Sequence, residues 1–279
     1  MNSRVVGSMT TVPKRVAHIQ PVLVELLKQP LDQIYLNIPD RSRRGQPYQI
    51  PKRLRQFIRT HPRIKLVRCH DHGPITKLLP TLQHEHDDET IIITFDDDIY
   101  PLPGMVERMV QALKDYPDQA IGYSGVCWGK FPGYYQLTGT WTQSVEVDWL
   151  EGVYSGCYLR KFFDLPELLA FPQRMGLVKE LSSNDDHWIS GYLASRNINR
   201  ISLGDDVRDY FKYTPARWIE PLSGRHVDLI REHASIIARF NLEGWYHRSH
   251  AISKSYGLYI TIIVIGIILL LLLLTWGLF

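Results

Sequence analysis

The feature that most constrains this chain is an apolar run that ends in three consecutive aspartates. Residues Thr90–Pro101 read Thr-Ile-Ile-Ile-Thr-Phe-Asp-Asp-Asp-Ile-Tyr-Pro. A short and wholly apolar run of this kind is typical of a strand buried inside a parallel sheet. Asp96, Asp97 and Asp98 would then lie at the carboxyl end of that strand, which is the edge where open α/β sheets bind ligands.

Three adjacent carboxylates repel one another unless a cation lies among them. Mg²⁺ and Mn²⁺ prefer carboxylate oxygens and commonly keep coordination positions open for substrate phosphates. The triplet therefore indicates either a divalent metal site or, more simply, a solvated acidic turn that closes the strand. The apolar strand in front of it favours the metal site.

The segments around the acidic stretch alternate between strand and helix patterns. Apolar residues recur at helical spacing between residues 16 and 27, between two segments with strand character. Further strands are predicted at Arg4–Met9, Gln33–Ile38, Ile64–Val67, Ala120–Trp128 and Ile198–Leu203, and further helices at Pro103–Asp115 and Val227–Phe240. This order predicts an α/β protein with a mostly parallel sheet flanked by helices.

Two basic loops are expected at the same edge of the sheet. Thr11 and Arg15 follow the first strand, where they would either receive a nucleotide or simply begin a helix. Lys77 follows a Gly-Pro turn at a predicted helix start, where backbone N–H groups and one ammonium would contact a phosphate. The glycine and lysine spacing of a P-loop is missing.

Two more aspartates open a predicted helix later in the chain. Asp185 and Asp186 follow Asn184, and Asn184 or Asp185 would cap that helix. A carboxylate there that faces the acidic strand would instead act as a general base. Both readings hold if one aspartate caps the helix and the other points into the cleft.

Charge and cysteine content exclude several classes of protein. A net charge of +3 without a recognition motif argues against nucleic-acid binding. Three widely spaced cysteines favour a reducing compartment and argue against a disulfide framework or a zinc site. The segment Arg41–Arg68 holds ten Lys and Arg residues and no acid, which indicates a solvated face, a contact with anionic lipid headgroups or a contact with a phosphorylated acceptor.

The segment Tyr256–Phe279 has no charged residue and is almost wholly apolar. At about 1.5 Å per residue a helix of this length reaches roughly 30–36 Å, which is enough to cross a bilayer. Arg248 and Lys254 precede it, and positive residues favour the cytosolic side. We therefore expect a single-pass membrane protein with a linker at 246–255, a transmembrane helix at 256–279 and its globular part in the cytosol.

The motifs taken in order resemble a known family. The residues that carry the resemblance are Arg68-Cys69-x-Asp71-x-Gly73-Pro74-x-Thr76-Lys77-Leu78-Leu79, followed by Phe95-Asp96-Asp97-Asp98-x-Tyr100-Pro101. They look like those of nucleotide-sugar glycosyltransferases with the GT-A fold, in the manner of the large family 2 type enzymes. The resemblance covers roughly Arg4–Phe211 and implies a catalytic domain at 1–245, with a donor-binding half at 1–101 and an acceptor half at 102–245.

The resemblance also implies roles for the polar residues of the donor half. Asp96 and Asp98 match the Asp-x-Asp motif, which binds the donor's ribose and the Mn²⁺ or Mg²⁺ ion that bridges its diphosphate. Asp97 belongs to the same donor site, although alternation along a strand would turn it away from its neighbours. Thr11 and Arg15 fall in the nucleotide-binding loop, and Lys77 falls where it would approach the diphosphate.

In the acceptor half, Asp186, with Asp185 close behind it, matches the place of the base that inverting members use. His226 is the candidate for a further metal ligand. The Gln-x-x-Arg-Trp signature of processive synthases is absent.

The expected function is metal-dependent transfer of a sugar from a nucleotide sugar to an acceptor hydroxyl, with inversion, on a glycan or a lipid-linked acceptor. Two alternatives remain at this point. One is a metal-dependent phosphohydrolase that uses the same acids, and the other is a tail-anchored binding protein without enzymatic activity.

Overall fold

The computed structural model describes residues 3–128, 135–138, 143–219 and 226–246, and it describes side chains within these ranges except at 128, 135–138 and 226–232. Within these ranges, every helix is too short or too polar to cross a bilayer. The predicted transmembrane helix, Tyr256–Phe279, and the linker before it lie outside the described residues.

The described part of the chain alternates between strands and helices over most of its length. The strands are β1 (Val5–Thr10), β2 (Gln33–Pro39), β3 (Ile64–Cys69), β4 (Ile91–Phe95), β5 (Ile99–Pro101), β6 (Ala120–Gly122), β7 (Gly125–Trp128), β8 (Tyr135–Thr138), β9 (Val145–Glu146), β10 (Trp149–Leu150), β11 (Gly156–Leu159), β12 (Arg200–Ser202) and β13 (Phe211–Tyr213). The helices are α1 (Gln20–Lys28), α2 (Lys52–Thr60), α3 (Leu79–His84), α4 (Met105–Asp115), α5 (Leu165–Met175), α6 (Val178–Leu181), α7 (Asp185–Ser195) and α8 (His226–Leu242).

The central sheet has eight strands in the order β3-β2-β1-β4-β11-β6-β12-β9. The first four strands are parallel to one another, and β12 is parallel to β6. Strand β11 runs antiparallel to both of its neighbours, and β9 runs antiparallel to β12. The prediction of a mostly parallel α/β sheet flanked by helices is therefore confirmed.

The register of the parallel strands places the predicted polar loops side by side. Met9 of β1 pairs with Phe95 of β4, so the residues that follow these two strands emerge at the same edge. Thr11 follows β1 and Asp96 follows β4. The carboxyl edge predicted for the acidic triplet is thus also the edge that carries the loop after the first strand.

Two element predictions were wrong in detail. The single strand predicted at Ala120–Trp128 is divided into β6 in the central sheet and β7 in a three-stranded sheet of order β10-β7-β8. A Cβ at Gly122 would lie 2.8 Å from Leu150, and one at Gly125 would lie 2.7 Å from Val147. The chain passes from the central sheet to the three-stranded sheet between Gly122 and Gly125. Leu150 and Val147 occupy the space that side chains at these two glycines would need.

The first helix also begins later than predicted. A short 3-10 turn spans Val16–His18, and α1 starts at Gln20 with Pro21 in its first turn. Proline is favoured in the first turn of a helix because its missing N–H has no partner there in any case. Pro21 therefore marks the helix start.

Helix α7 carries the aspartate pair and lies inside the protein. Trp188, Tyr192 and Leu193 on it are buried. Gly191 lets the phenyl ring of Phe240 on α8 approach the α7 backbone, because a Cβ at Gly191 would lie 2.5 Å from Phe240 Cζ. The packing of α8 against α7 thus fixes the helix that presents the two aspartates.

We predict that Gly191→Ala destabilises the protein. Overpacking against the Phe240 ring should cost about 1–3 kcal/mol, more than the gain of about 1 kcal/mol from alanine's helix propensity. Urea unfolding measures the change, and Ser195→Ala at the end of the same helix is the control, expected within about 0.5 kcal/mol of the native protein. Equal stability of the two variants would contradict the close packing of α8 on α7.

Candidate active site

A buried lysine joins the acidic triplet to the aspartate pair of α7. The Nζ atom of Lys77 lies 2.6 Å from Asp96 Oδ1 and 3.0 Å from Asp185 Oδ2. Burial on its own would lower the pKa of Lys77, but the surrounding carboxylates outweigh it and hold that pKa well above its usual value. Lys77 is therefore a fixed positive charge between two groups of acids that are about 90 residues apart in sequence.

The backbone of Lys77 is held by a buried polar network beneath the site. Ser8 donates a hydrogen bond to the Lys77 carbonyl, and Asn37 Nδ2 donates to the same carbonyl at 3.3 Å. Asn37 also donates to Thr81 Oγ1 at 3.2 Å, and the hydroxyls of Ser8 and Thr81 are 2.5 Å apart. Strands β1 and β2 thereby fix the 3-10 turn that carries Lys77. The sequence did not identify these residues. The only signal for Ser8 and Asn37 is that each is a polar residue inside an apolar strand.

Arg15 pairs with the other two aspartates of the triplet. Its Nη1 atom lies 2.6 Å from Asp97 Oδ1 and 2.9 Å from Asp98 Oδ2, and Thr11 Oγ1 donates to Asp97 Oδ2 at 2.5 Å. Arg15 and Asp97 are both buried. Burial raises the pKa of Asp97 to about 6, although Arg15 and Thr11 oppose the rise.

The strand geometry on which the expected orientation of Asp97 depended does not extend to the acidic triplet. Strand β4 ends at Phe95, and the three aspartates lie in the turn that leads to β5, so the alternation of a strand does not apply to them. Asp97 and Asp98 accept from the same Arg15 nitrogen. Asp97 has a structural role in this arrangement, because its two oxygens are taken up by Arg15 and Thr11.

The remaining two aspartates fit a divalent cation. The side chains of Asp96 and Asp98 are 28% and 20% exposed, whereas that of Asp97 is 8% exposed. Among the described residues, no three His, Cys, Asp or Glu side chains converge to complete a metal site. Two carboxylates with the remaining positions left to phosphate oxygens and water is a donor set that suits Mg²⁺ or Mn²⁺.

The aspartates of α7 do not cap their helix, so of the two readings left open by the sequence only the one in which they face the acidic strand fits the structure. Asn184 occupies the N-cap position, but its side chain makes no capping hydrogen bond. Its amide donates to the carbonyl of Glu180 at 2.7 Å, and its Oδ1 is 2.9 Å from Nε2 of His233. Asp185 contacts Lys77, and Asp186 accepts a hydrogen bond of 2.8 Å from the backbone N–H of Gly152. Both carboxylates therefore point toward the acidic triplet.

Gly152 is a site residue that the sequence reading did not identify. A Cβ at this position would lie 2.7 Å from Asp186 Oδ1 and 3.2 Å from Lys77 Nζ. Only the absence of a side chain lets the backbone reach the two charged groups. A glycine within a strand-like segment, here beside Trp149, Val153 and Tyr154, is a known signal for close backbone approach, and it is the signal that would have found this residue.

Asp186 differs electrostatically from its neighbour Asp185. Removal from water raises the pKa of Asp186 well above its usual value, and Asp185 raises it further, while Lys77 opposes both effects. Asp186 is also partly exposed, whereas Asp185 is buried. A partly exposed carboxylate with a raised pKa is suited to accept a proton near neutral pH.

Buried aromatic and histidine side chains support the start of α7. His187 Nδ1 lies 2.8 Å from the Tyr246 hydroxyl, and its ring packs against Trp149 and His233. Burial, and to a smaller extent His233, lowers the pKa of His187 well below its usual value. His226, the predicted metal ligand, is the first residue of α8, and its side chain is outside the described part of the chain.

An aromatic cleft of about 230 Å³ adjoins the acidic turn. Tyr154 and Tyr213 line it with their hydroxyls 2.5 Å apart, and the guanidinium of Arg217 stacks 3.6 Å from the centre of the Tyr213 ring. Strand β13 positions Tyr213 through its pairing with β5, which directly follows Asp98. Most of the aromatic-rich segment Trp128–Trp149 lies outside the described side chains.

We predict that Lys77→Met destabilises the metal-free protein by on the order of 3 kcal/mol at pH 7.5, because it leaves the buried Asp185 and the partly exposed Asp96 without their counter-charge. Lys77 opposes the raised pKa of the neighbouring Asp186, so without Lys77 that pKa rises further and the folded state binds more protons than the unfolded state. The deficit should therefore shrink as the pH falls toward 5. Urea unfolding in the presence of a chelator measures both effects.

Lys161→Met is the matched control for this prediction. Lys161 also bridges two carboxylates, Glu89 at 3.0 Å and Asp118 at 2.8 Å, but it does so at the surface. Its loss should cost less than about 1 kcal/mol. Equal losses for the two variants would contradict the role assigned to Lys77.

Comparison with known proteins supports the fold. No protein-family model matches the chain, and no curated protein sequence matches it. Among solved structures it is similar to the mannosyltransferase PcManGT from Pyrobaculum calidifontis in complex with GDP-Man and Mn²⁺, with a TM-score of 0.54 and 16% sequence identity. The match covers 89% of this chain and 66% of the mannosyltransferase chain, slightly less than two thirds of the latter. This chain therefore shares its α/β fold with a structurally characterised glycosyltransferase.

Proposed function

We propose that the protein is a metal-dependent glycosyltransferase of the GT-A type. It would move a sugar from a nucleotide-sugar donor to an acceptor hydroxyl. The observation that carries the proposal is the contact of Lys77 with both Asp96 and Asp185, at 2.6 and 3.0 Å. It brings the Asp-x-Asp residues and the α7 aspartates into one site, as transfer from a diphosphate donor requires.

The donor would bind at the carboxyl edge of β1 and β4. Asp96 and Asp98 would hold a Mn²⁺ or Mg²⁺ ion, which when bound offsets the negative charge on the diphosphate. In the ligand-free protein Arg15 pairs with Asp98 and Lys77 pairs with Asp96. When the donor binds, both side chains would also attract its phosphates. The similarity in fold to a mannosyltransferase bound to GDP-Man and Mn²⁺ supports a nucleotide-sugar donor and a divalent cation.

Sugar transfer would proceed by direct displacement with inversion. The acceptor oxygen forms a bond to the anomeric carbon as the bond from that carbon to the diphosphate oxygen breaks. Asp186 takes the proton of the acceptor hydroxyl, and Lys77 stabilises the charge that develops on the departing diphosphate. Gly152 N–H orients Asp186, and Asp185 holds Lys77 in place.

The acceptor would lie on the side of the aromatic cleft. Tyrosine faces offer an apolar platform for the C–H face of a sugar ring, and the hydroxyls of Tyr154 and Tyr213 offer polar contacts. A glycan or lipid-linked acceptor at the cytosolic face of a membrane remains our proposal, together with a metal contact from His226. The predicted C-terminal transmembrane helix would keep the enzyme close to such acceptors.

One observation disfavours the phosphohydrolase alternative. Phosphatases of the haloacid dehalogenase type place their Asp-x-Asp at the end of the first strand. Here β1 ends at Thr10 and is followed by Thr11, and the acidic triplet follows β4 in the middle of the sheet.

We predict that Mn²⁺ together with GDP raises the melting temperature of the protein, and that Asp98→Asn abolishes this increase. Asp98 is one of the two partly exposed carboxylates available to the cation. Asp115→Asn, an exposed aspartate at the end of α4, is the matched control and should keep the increase. A panel of nucleotide sugars with Mn²⁺ then identifies the donor by release of nucleoside diphosphate. Phosphate release from a phosphoester would instead support a hydrolase.

We further predict that Asp186→Asn lowers the transfer rate by about 10²–10⁴-fold while donor binding stays unchanged, because the variant lacks the proton acceptor. Single-turnover transfer measures the rate, and the Mn²⁺–GDP melting shift measures donor binding. Loss of donor binding in this variant would show that Asp186 helps to bind the donor, and an unchanged rate would exclude it as the base.

A further inference from the structure

The acid-free basic segment found in the sequence forms a surface. Between residues 41 and 60 the chain carries seven Lys and Arg residues and no Asp or Glu, and all seven side chains are exposed. They are Arg41, Arg43, Arg44, Lys52, Arg53, Arg55 and Arg59. We call this set the basic surface. Its formal charge of +7 exceeds the +3 of the whole chain, so the rest of the protein is net negative and the positive charge is concentrated here.

A tight turn presents part of the basic surface at the carboxyl edge of the sheet. The chain leaves β2 at Pro39 and forms a turn in which Gly45 N–H donates to the Ser42 carbonyl at 2.7 Å. Gly45 has a φ of 78°, which glycine adopts without strain. Arg43 and Arg44 occupy the two central positions of this turn and are exposed.

Helix α2 presents the rest of the basic surface. Leu54 and Ile58 are buried against the protein. At 100° per residue, Lys52, Arg55 and Arg59 fall within about 60° of one another, on a side of the helix centred about 110° from the buried pair. The helix therefore has one apolar stripe toward the core and one cationic stripe toward solvent.

The charges of the basic surface are not used inside the described part of the protein. No ion pair to an acid of the described residues is found for any of the seven side chains, whereas the neighbouring Arg68 pairs with Asp40. Two of the seven make hydrogen bonds to carbonyls: Arg41 Nη1 to Gly45, and Arg55 Nε to Ile50, each at 3.0 Å. The guanidinium and ammonium charges thus remain available to an external anion.

The basic surface also borders the candidate active site. The guanidinium carbon of Arg43 lies 3.3 Å from the position that a Cβ on Gly73 would take. Gly73 directly precedes the 3-10 turn Pro74–Lys77, which carries Lys77 into the site. An anionic partner on the basic surface would therefore face the edge at which the site lies.

We infer that the basic surface docks on an anionic lipid bilayer. Its cations are exposed on a turn and along a helix about 12 Å long, so several of them can meet the headgroups of a planar bilayer at once. Each basic residue near an anionic membrane strengthens binding about fivefold. Docking here would turn the carboxyl edge of the sheet toward the headgroups. This inference concerns the surface and holds whatever reaction the site performs.

Lysine acetylation of the full chain tests the inference. The protein is mixed with vesicles of neutral phosphatidylcholine, or with vesicles in which about a third of the lipid is anionic phosphatidylglycerol. A water-soluble acetylating reagent is added, and mass spectrometry follows the rate at each lysine. Lys52 reports on the basic surface, and the exposed Lys114 and Lys179 on α4 and α6 are internal controls. A bilayer anchor elsewhere in the chain does not affect this comparison, because the readout is local.

We expect acetylation of Lys52 to slow at least about fivefold on anionic relative to neutral vesicles, with less than about twofold change at Lys114 and Lys179. The slowing should disappear at about 1 M salt, which screens charges beyond about 3 Å. Equal rates at Lys52 on the two kinds of vesicle would overturn the inference. The inference would also be overturned if inorganic pyrophosphate, added with neutral vesicles, slowed acetylation of Lys52 as much as anionic vesicles do. That result would indicate that the surface binds a soluble phosphate ligand.

A pair of variants with equal charge loss completes the test. In the triple variant Arg43→Gln, Arg44→Gln and Arg55→Gln, the protection of Lys52 on anionic vesicles should be lost. The matched triple variant Lys28→Gln, Lys114→Gln and Lys179→Gln loses the same amount of charge outside the basic surface. In this variant the protection of Lys52 should be retained. Melting temperatures confirm that both variants fold. Equal loss of protection in the two would show that net charge, rather than the basic surface, governs the contact.

Discussion

The structure around the site depends on one buried ammonium group. Lys77 contacts Asp96 from the turn after β4 and Asp185 from the start of α7, two segments that local sequence does not connect. Without that charge, carboxylates brought together by folding would repel one another in a poorly solvated place. The ion pairs therefore link the two halves of the chain, and the network of Ser8, Asn37 and Thr81 fixes the backbone from which the lysine projects.

The same electrostatic logic divides the acidic triplet into two roles. Arg15 and Thr11 occupy both oxygens of the buried Asp97, so this residue holds the loop after β1 against the turn after β4. Asp96 and Asp98 stay partly exposed at the mouth of the site. Fixed charges of both signs are thus in place before any ligand arrives, which is the arrangement that stabilises developing charge at low reorganisation cost. This preorganisation is the physical basis of the proposed transfer.

Features that rest on local pattern were predictable. The apolar run before Asp96 was identified as a buried strand because no other short element buries every side chain, and β4 is buried throughout. Thr11, Arg15 and Lys77 were placed at the same edge because parallel strands end together. The Asp97 orientation and the cap of α7 were not predictable. The first depends on where β4 stops, and the second depends on His233 of a distant helix, which takes the Asn184 oxygen.

The sequence alone determined the α/β class, the edge of the sheet that carries the polar loops and the concentration of positive charge between residues 41 and 60. These follow from periodicity and composition, which act over a few neighbouring residues. Only the tertiary structure decided which charges meet. Lys77 joins Asp96 to Asp185, Arg15 takes Asp97, and Gly152 leaves room beside Asp186. Such contacts join residues far apart in the chain, so they depend on the packing of whole elements. The acidic stretch predicts a site, and the tertiary structure determines which cation each of its carboxylates contacts.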